Sequence, residues 1–110
     1  MDWKLEQYQD GRGGKPVEEF IQTLSEEEQA QVSVRLLYLQ RVGYRIREPL
    51  SKSLGEGLFE LRIKTHRIFY SFRPGQVVVL LHAFSKQTRK TPARELQTAR
   101  QRLKEVHRER

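Results

Sequence analysis

The sequence predicts an α+β fold, a small and mostly antiparallel sheet packed by helices on one face. Three observations carry that expectation. Two helical patterns fill much of the first half, three apolar-rich runs joined by short turns fill residues 58–84, and an amphipathic stretch closes the chain. Consecutive strands with short turns build an antiparallel sheet, which must bury its apolar face against the helices. With 110 residues there is enough chain for one core and too little for two, so 1–110 reads as a single domain.

The elements follow in chain order. "WKLEQY" at 3–8 alternates Trp3 and Leu5 against Lys4 and Glu6, a short strand. "DGRGGKP" at 10–16 is a loop by its glycines. Pro16 suits a first helical position, and Val17, Phe20, Ile21 and Leu24 then recur at helical spacing. Ser25 and Glu28 form an S-x-x-E capping box, so a second helix starts at Glu26. It runs to about Val42 and stops at Gly43, with Ala30, Val34, Leu37 and Tyr38 as its expected buried stripe. The acidic run 26–28 suits the positive end of that helix. Residues 44–57 read as irregular because of Pro49, Gly55 and Gly57. Strands are expected at 58–63, 67–73 and 77–84. Thr91 then caps a last helix with Pro92 as its first residue, and Leu96, Ala99, Leu103 and Val106 form its apolar stripe. The resulting order is β-α-α-β-β-β-α.

Composition excludes several classes. The longest apolar run, Val77–Leu81, is far shorter than a membrane span, and the N-terminus lacks a basic-then-apolar signal pattern. The absence of cysteine removes disulfides, zinc ribbons and thiol nucleophiles. A cytoplasmic protein with no membrane partner is the expectation. Net charge is +7, unevenly placed: residues 1–57 carry a slight acidic excess, whereas residues 85–110 hold nine basic and three acidic residues. A localised positive field favours a polyanionic partner, although a solvated basic helix accounts for the same charges.

Strand alternation sharpens this. A two-residue turn at Lys64-Thr65 sets Ile63 opposite His66, Leu61 opposite Ile68 and Phe59 opposite Tyr70, an apolar face for the helices. The other face then pairs Glu60 with Phe69 and Arg62 with Arg67. A two- or four-residue loop at "RPGQ" would place Tyr70 opposite Val79 and Arg67 opposite His82. Arg62, Arg67 and His82 thus form a row facing away from the main core, beside Phe84 and the loop cations Lys86, Arg89 and Lys90. Like charges across a strand pair are costly, and a phosphate offsets the repulsion because guanidinium forks grip its oxygens. Phe69 and Phe84 on this face would stack unpaired bases. Read singly, each residue has a plainer account. Arg62 can pair with Glu60 or Glu56, Arg67 can be a solvated strand residue, and His82 can be a satisfied structural histidine.

At these residues the sequence resembles the RelE/ParE superfamily of toxin–antitoxin toxins, in its phage-derived HigB-like branch. The likeness runs from about Val17 to Val106. It is carried by "GLFELRI", by the arginine opening "RIFYSF", by a central apolar strand ending L-L-H-x-F-x-K, and by the K-T-P that opens the last helix. The resemblance implies a RelE-like fold and a bacterial toxin that cleaves mRNA, usually on the translating ribosome. It also implies a cognate antitoxin, in some branches of helix-turn-helix type. Carried over position by position, it assigns the family's basic sheet-face residues to Arg62, Arg67 and Lys86, and its strand-end motif to His82 and Phe84. Well-known relatives use a C-terminal tyrosine or histidine for proton transfer. The last tyrosine here is Tyr70, and His107 stands near the end.

RNA can be cut without metal or cofactor when its own 2′-hydroxyl attacks the adjacent phosphate. Arg62, Arg67 and Lys86 would stabilise the phosphorane charge, with His82, or a lysine among the cations, moving protons. Glu60 is the one acidic residue in 58–84, so nothing there resembles a metal-nuclease ligand set. Two other classes stay open: a ParE-type gyrase poison or inert binder, and a nucleic-acid-binding domain using the basic last helix.

Overall fold

The computed structural model describes residues 2–108. Strand β1 (Lys4–Gln7) leads into helices α1 (Pro16–Gln22) and α2 (Glu26–Val42), a 3-10 turn at 43–45, strands β2 (Ser51–Gly55), β3 (Leu58–Ile63), β4 (His66–Arg73) and β5 (Val77–Ser85), and helix α3 (Ala93–Arg108). The five strands form one sheet in the order β1-β5-β4-β3-β2. All pairs are antiparallel except β1 with β5.

The local signals act as their chemistry requires. Pro16 opens α1, and Val17 beneath it is fully buried. Ser25 and Glu28 close the capping box reciprocally, the Ser25 hydroxyl accepting from the Glu28 amide at 3.2 Å. Gly43 ends α2 at φ +57°, and a Cβ there would overlap the Trp3 indole, so both backbone sign and space demand glycine. Pro92 sits one place earlier than expected: its carbonyl accepts from the Leu96 amide, the first intrahelical bond, so it caps α3 rather than belonging to it.

Four further expectations need correction. First, residues 51–55 form a fourth antiparallel strand, β2, where an irregular segment was expected. "SKSLG" has little apolar alternation because this edge strand is held by its ladder with β3 rather than by a buried face. Secondly, α2 turns the opposite stripe inward. Val32 and Leu39 are buried, with Leu36 and Val42 packed against the same core, while Ala30, Val34, Leu37 and Tyr38 are exposed. Thirdly, the β4–β5 loop has three residues, 74–76, so Tyr70 lies opposite Leu80 rather than Val79. A bulge at Leu81 then restores the facing, and Phe69, not Arg67, meets His82.

The fourth correction matters most for the site. The sheet is covered on both faces. On one side α1 and α2 pack on Leu61, Ile63, Ile68, Tyr70, Val78 and Leu80. On the other, Ala99, Leu103 and Val106 of α3 seal a second core over Leu58, Phe69, Val79, Leu81 and Phe84. Burying Leu103 and Val106 contributes about 1.5–3 kcal/mol each, enough to hold the helix down.

Candidate functional site

The β3–β4 hairpin delivers its arginines as alternation requires. Arg62 lies directly opposite Arg67, one step from the Lys64-Thr65 turn, and Glu60 lies opposite Phe69 on the same face. Between the two guanidiniums sits one carboxylate. Arg62 Nε donates to Glu60 Oε2 at 2.9 Å, and Arg67 Nε stands 3.8 Å from the same oxygen, too far to bond. Glu60 is 2% exposed, against 28% and 15% for the Arg62 and Arg67 side chains. Two positive charges therefore share one buried negative charge.

Arg67 is further constrained. Its Nη1 donates to the Lys64 and His66 carbonyls, at 2.7 and 3.0 Å, which fixes the guanidinium over the turn. Its Nε is buried and has no hydrogen-bond partner among the described residues. Burial pulls the Arg67 pKa below the ordinary arginine value; Glu60 opposes the shift and Arg62 adds to it. A buried donor left without an acceptor is costly, and the anion nearest to it is the Glu60 carboxylate 3.8 Å away.

Lys86 joins from β5's end. Its amide donates to the Thr65 carbonyl at 2.7 Å, continuing the ladder past Ser85 and placing Lys86 beside the same turn. Arg89 and Lys90 follow in the exposed loop that leads to α3. Arg62, Arg67 and Lys86 thus stand at the rim where the hairpin turn meets the start of that loop, and Arg89 and Lys90 lie further along the loop.

The remaining predicted residues have other places. Phe69 and Phe84 are buried, edge to face at a centroid distance of 5.3 Å, beneath Ala99 and Leu103. Their rings are core, with no free face to stack a base. His82 also turns under α3. Its Nε2 lies 2.6 Å from Glu95 Oε1, and its Nδ1 accepts from Arg102 Nη1 at 3.1 Å. An acceptor Nδ1 assigns the ring proton to Nε2, whose N–H donates a hydrogen bond to Glu95. Both nitrogens are committed to α3, so His82 is a tether of the helix rather than a proton donor for a ligand beside Arg67. His107 is exposed on the last turns of α3.

Sequence reasoning missed the partners that do this. Glu95 and Arg102 stand seven positions apart on α3 and so share the face that carries Ala99 and Val106. That spacing was the available signal for two charged residues reaching the sheet. Arg102 also donates to the Leu81 carbonyl at 2.9 Å and lies over the Tyr8 ring at 5.0 Å, while the Tyr8 hydroxyl donates to Glu105 at 2.7 Å. The Glu105 carboxylate and burial together raise the Tyr8 pKa.

A second histidine, His66, faces the other core. It bonds Ser85 Oγ through Nδ1 and Glu28 Oε2 through Nε2, each at 2.9 Å, tying the start of α2 to the sheet. That bond is the main reason the Glu28 carboxyl titrates below its usual range.

Comparisons with known proteins agree with this architecture. A family profile described as phage derived protein Gp49-like matches residues 19–104. No curated protein matches the sequence. Among solved structures, the archaeal RelE–RelB complex from Pyrococcus horikoshii OT3 superposes with a TM-score of 0.63 at 19% identity, covering 82% of this chain and 100% of that one. A double-arginine mutant of the Escherichia coli toxin RelE in the free state gives 0.62 at 17% identity, covering 93% and 98%. The toxin–antitoxin complex RelBE2 from Mycobacterium tuberculosis gives 0.54 at 20% identity, covering 78% and 100%. At these identities the likeness establishes a shared fold.

Proposed function

The chain belongs to the phage-derived Gp49-like family, within the RelE-type toxin superfamily, and from that premise we propose that it is the toxin of a type II toxin–antitoxin system, an mRNA endonuclease. The observation that carries the RNA reading is the Arg62–Arg67 pair: two guanidiniums opposite each other on the hairpin that share one buried carboxylate. A phosphodiester at the outer edges of the two guanidiniums would supply the missing negative charge.

The chemistry follows from the groups present. The RNA 2′-hydroxyl attacks the adjacent phosphorus, the bond to the 5′-oxygen breaks, and a cyclic phosphate and a free 5′-hydroxyl remain. The transition state carries extra negative charge on the phosphoryl oxygens. Arg62 and Arg67 already face that position and need little reorganisation, which is the economical way to stabilise developing charge. Arg67 is the better placed of the two, because its Nη1 bonds to the turn hold it still. Lys86 adds a third cation, and Arg89 and Lys90 extend the positive rim along the RNA backbone. With His82 held by Glu95 and Arg102, a lysine of this rim, Lys86 in this reading, would exchange the proton with the reacting oxygens. The partners implied are mRNA, the ribosome that presents it, and an antitoxin that covers the basic rim.

The test is purified protein incubated with mRNA, alone and with ribosomes. Cleavage by the wild type and none by Arg67→Ala is expected. Intact transcripts in both settings would remove the nuclease reading.

A further inference from the structure

Helix α2 leaves an apolar face without a partner among the described residues. Val34 is 67% exposed, Leu37 62% and Tyr38 44%, with Ala30 open one turn earlier. Ala30, Val34, Leu37 and Arg41 follow one another at steps of four, three and four, the spacing of a coiled-coil seam. The seam lies opposite Val32 and Leu39, which are buried, so it points directly away from the chain's own core.

The charges around it identify what fits. The first turn of α2 carries Glu26 and Glu27, its last turn carries Arg41, and Arg45 follows in the 3-10 turn. Between those ends Ala30, Val34, Leu37 and Tyr38 bring no charge of their own, and Lys64 of the hairpin turn borders the groove beside Ala30 and Val34. Arg35, on the flank, is turned away by its bond to the Arg62 carbonyl. The face is therefore acidic at one end, apolar in the middle and basic at the other.

We propose that this face pairs with the same face of a second copy of the chain, with the two α2 helices antiparallel. A two-fold axis near Val34 and Leu37 sets Glu26 and Glu27 of each copy beside Arg41 and Arg45 of the other, and brings the two uncharged segments together. Opposed helix dipoles favour the same direction. A parallel pair would set glutamates against glutamates and arginines against arginines. The contact is one helix face per copy, so it forms a small, concentration-dependent dimer. The face borders the hairpin turn at Lys64.

Sedimentation equilibrium of the purified full chain, from about 1 µM to about 1 mM, reads this directly. A monomer–dimer equilibrium is expected within that range. Val34→Asp, which places two carboxylates at the axis, should weaken it ten-fold or more while circular dichroism stays unchanged. Glu27→Arg and Arg41→Glu should each weaken self-association, and an equimolar mixture of the two should form a heterodimer at least as tight as the wild-type dimer. A chain monomeric throughout the range, as expected of a face reserved for a different polypeptide, overturns the proposal. So does a dimer indifferent to Val34→Asp, or a mixture that associates no better than either variant alone.

Discussion

Replacing Glu60 by glutamine separates stability from RNA affinity, because the two should move in opposite directions. Glu60 is the one anion between Arg62 and Arg67, and it is buried. Glutamine keeps an oxygen for Arg62 Nε but removes the charge, so the two guanidiniums repel without compensation. Weakening a charge-assisted bond at a buried site costs about 1–3 kcal/mol of folding stability. For RNA the sign reverses. Arg62 Nε holds Glu60 at 2.9 Å, and a phosphate gripped by the far edges of the guanidiniums stands roughly 6 Å from that carboxylate. At an effective dielectric of about 20 the repulsion is about 3 kcal/mol, and physiological salt reduces it to about 1–2 kcal/mol. Removing it should tighten binding of a single-stranded RNA roughly 5- to 30-fold. Fluorescence anisotropy over a salt series measures the affinity, and urea unfolding measures the stability. A folded Glu60→Gln protein that binds RNA no tighter than wild type would refute the reasoning, since the phosphate would then lie elsewhere.

Other consequences follow from the packing. Phe84→Leu should cost stability yet leave RNA affinity within about two-fold, because the ring is core; a base-stacking role would cost about 1–3 kcal/mol of binding in the same anisotropy assay. Gly43→Ala should destabilise the fold by about 2–4 kcal/mol in urea unfolding, since the methyl meets the Trp3 indole and the backbone has positive φ. Burial raises the Tyr70 phenol pKa from 10.0 to about 12. The unfolded chain therefore loses that proton first, and stability should fall by about 2–3 kcal/mol as pH rises from 10 to 12. Stability measured across that window should decline for the wild type and lose this component in Tyr70→Phe.

The fold was legible wherever a local rule decides the structure. The Ser25–Glu28 box, the Gly43 stop and the Lys64-Thr65 turn each depend on a few adjacent residues, and each is where those residues place it. Edge strand β2 was not legible, because its order comes from β3. The buried side of α2 was misread for a related reason. That helix has two apolar stripes, and only contact with the sheet decides that Val32 and Leu39 turn inward while Val34 and Leu37 stay out.

The site divides along the same line. Alternation within one hairpin placed Arg62 opposite Arg67, and pairing with Glu60 was visible as a neighbour two residues away. The β4–β5 register was not legible, since a three-residue loop and a bulge at Leu81 both lie outside simple alternation. The larger omission was α3. Its apolar stripe promised burial, but nothing local said that it would lie on the arginine face and take Phe69, Phe84 and His82 into a second core. What remains open is the cationic rim at the hairpin end.

The most direct measurement is transcript-end mapping in bacteria after induced expression of the wild type and of Arg67→Ala. Discrete internal mRNA cuts with the wild type, and their loss with a stably folded Arg67→Ala chain, are the predicted result. Intact transcripts under wild-type expression, whether growth continues or stops with DNA damage, or cuts that persist without the Arg67 guanidinium, would contradict the account.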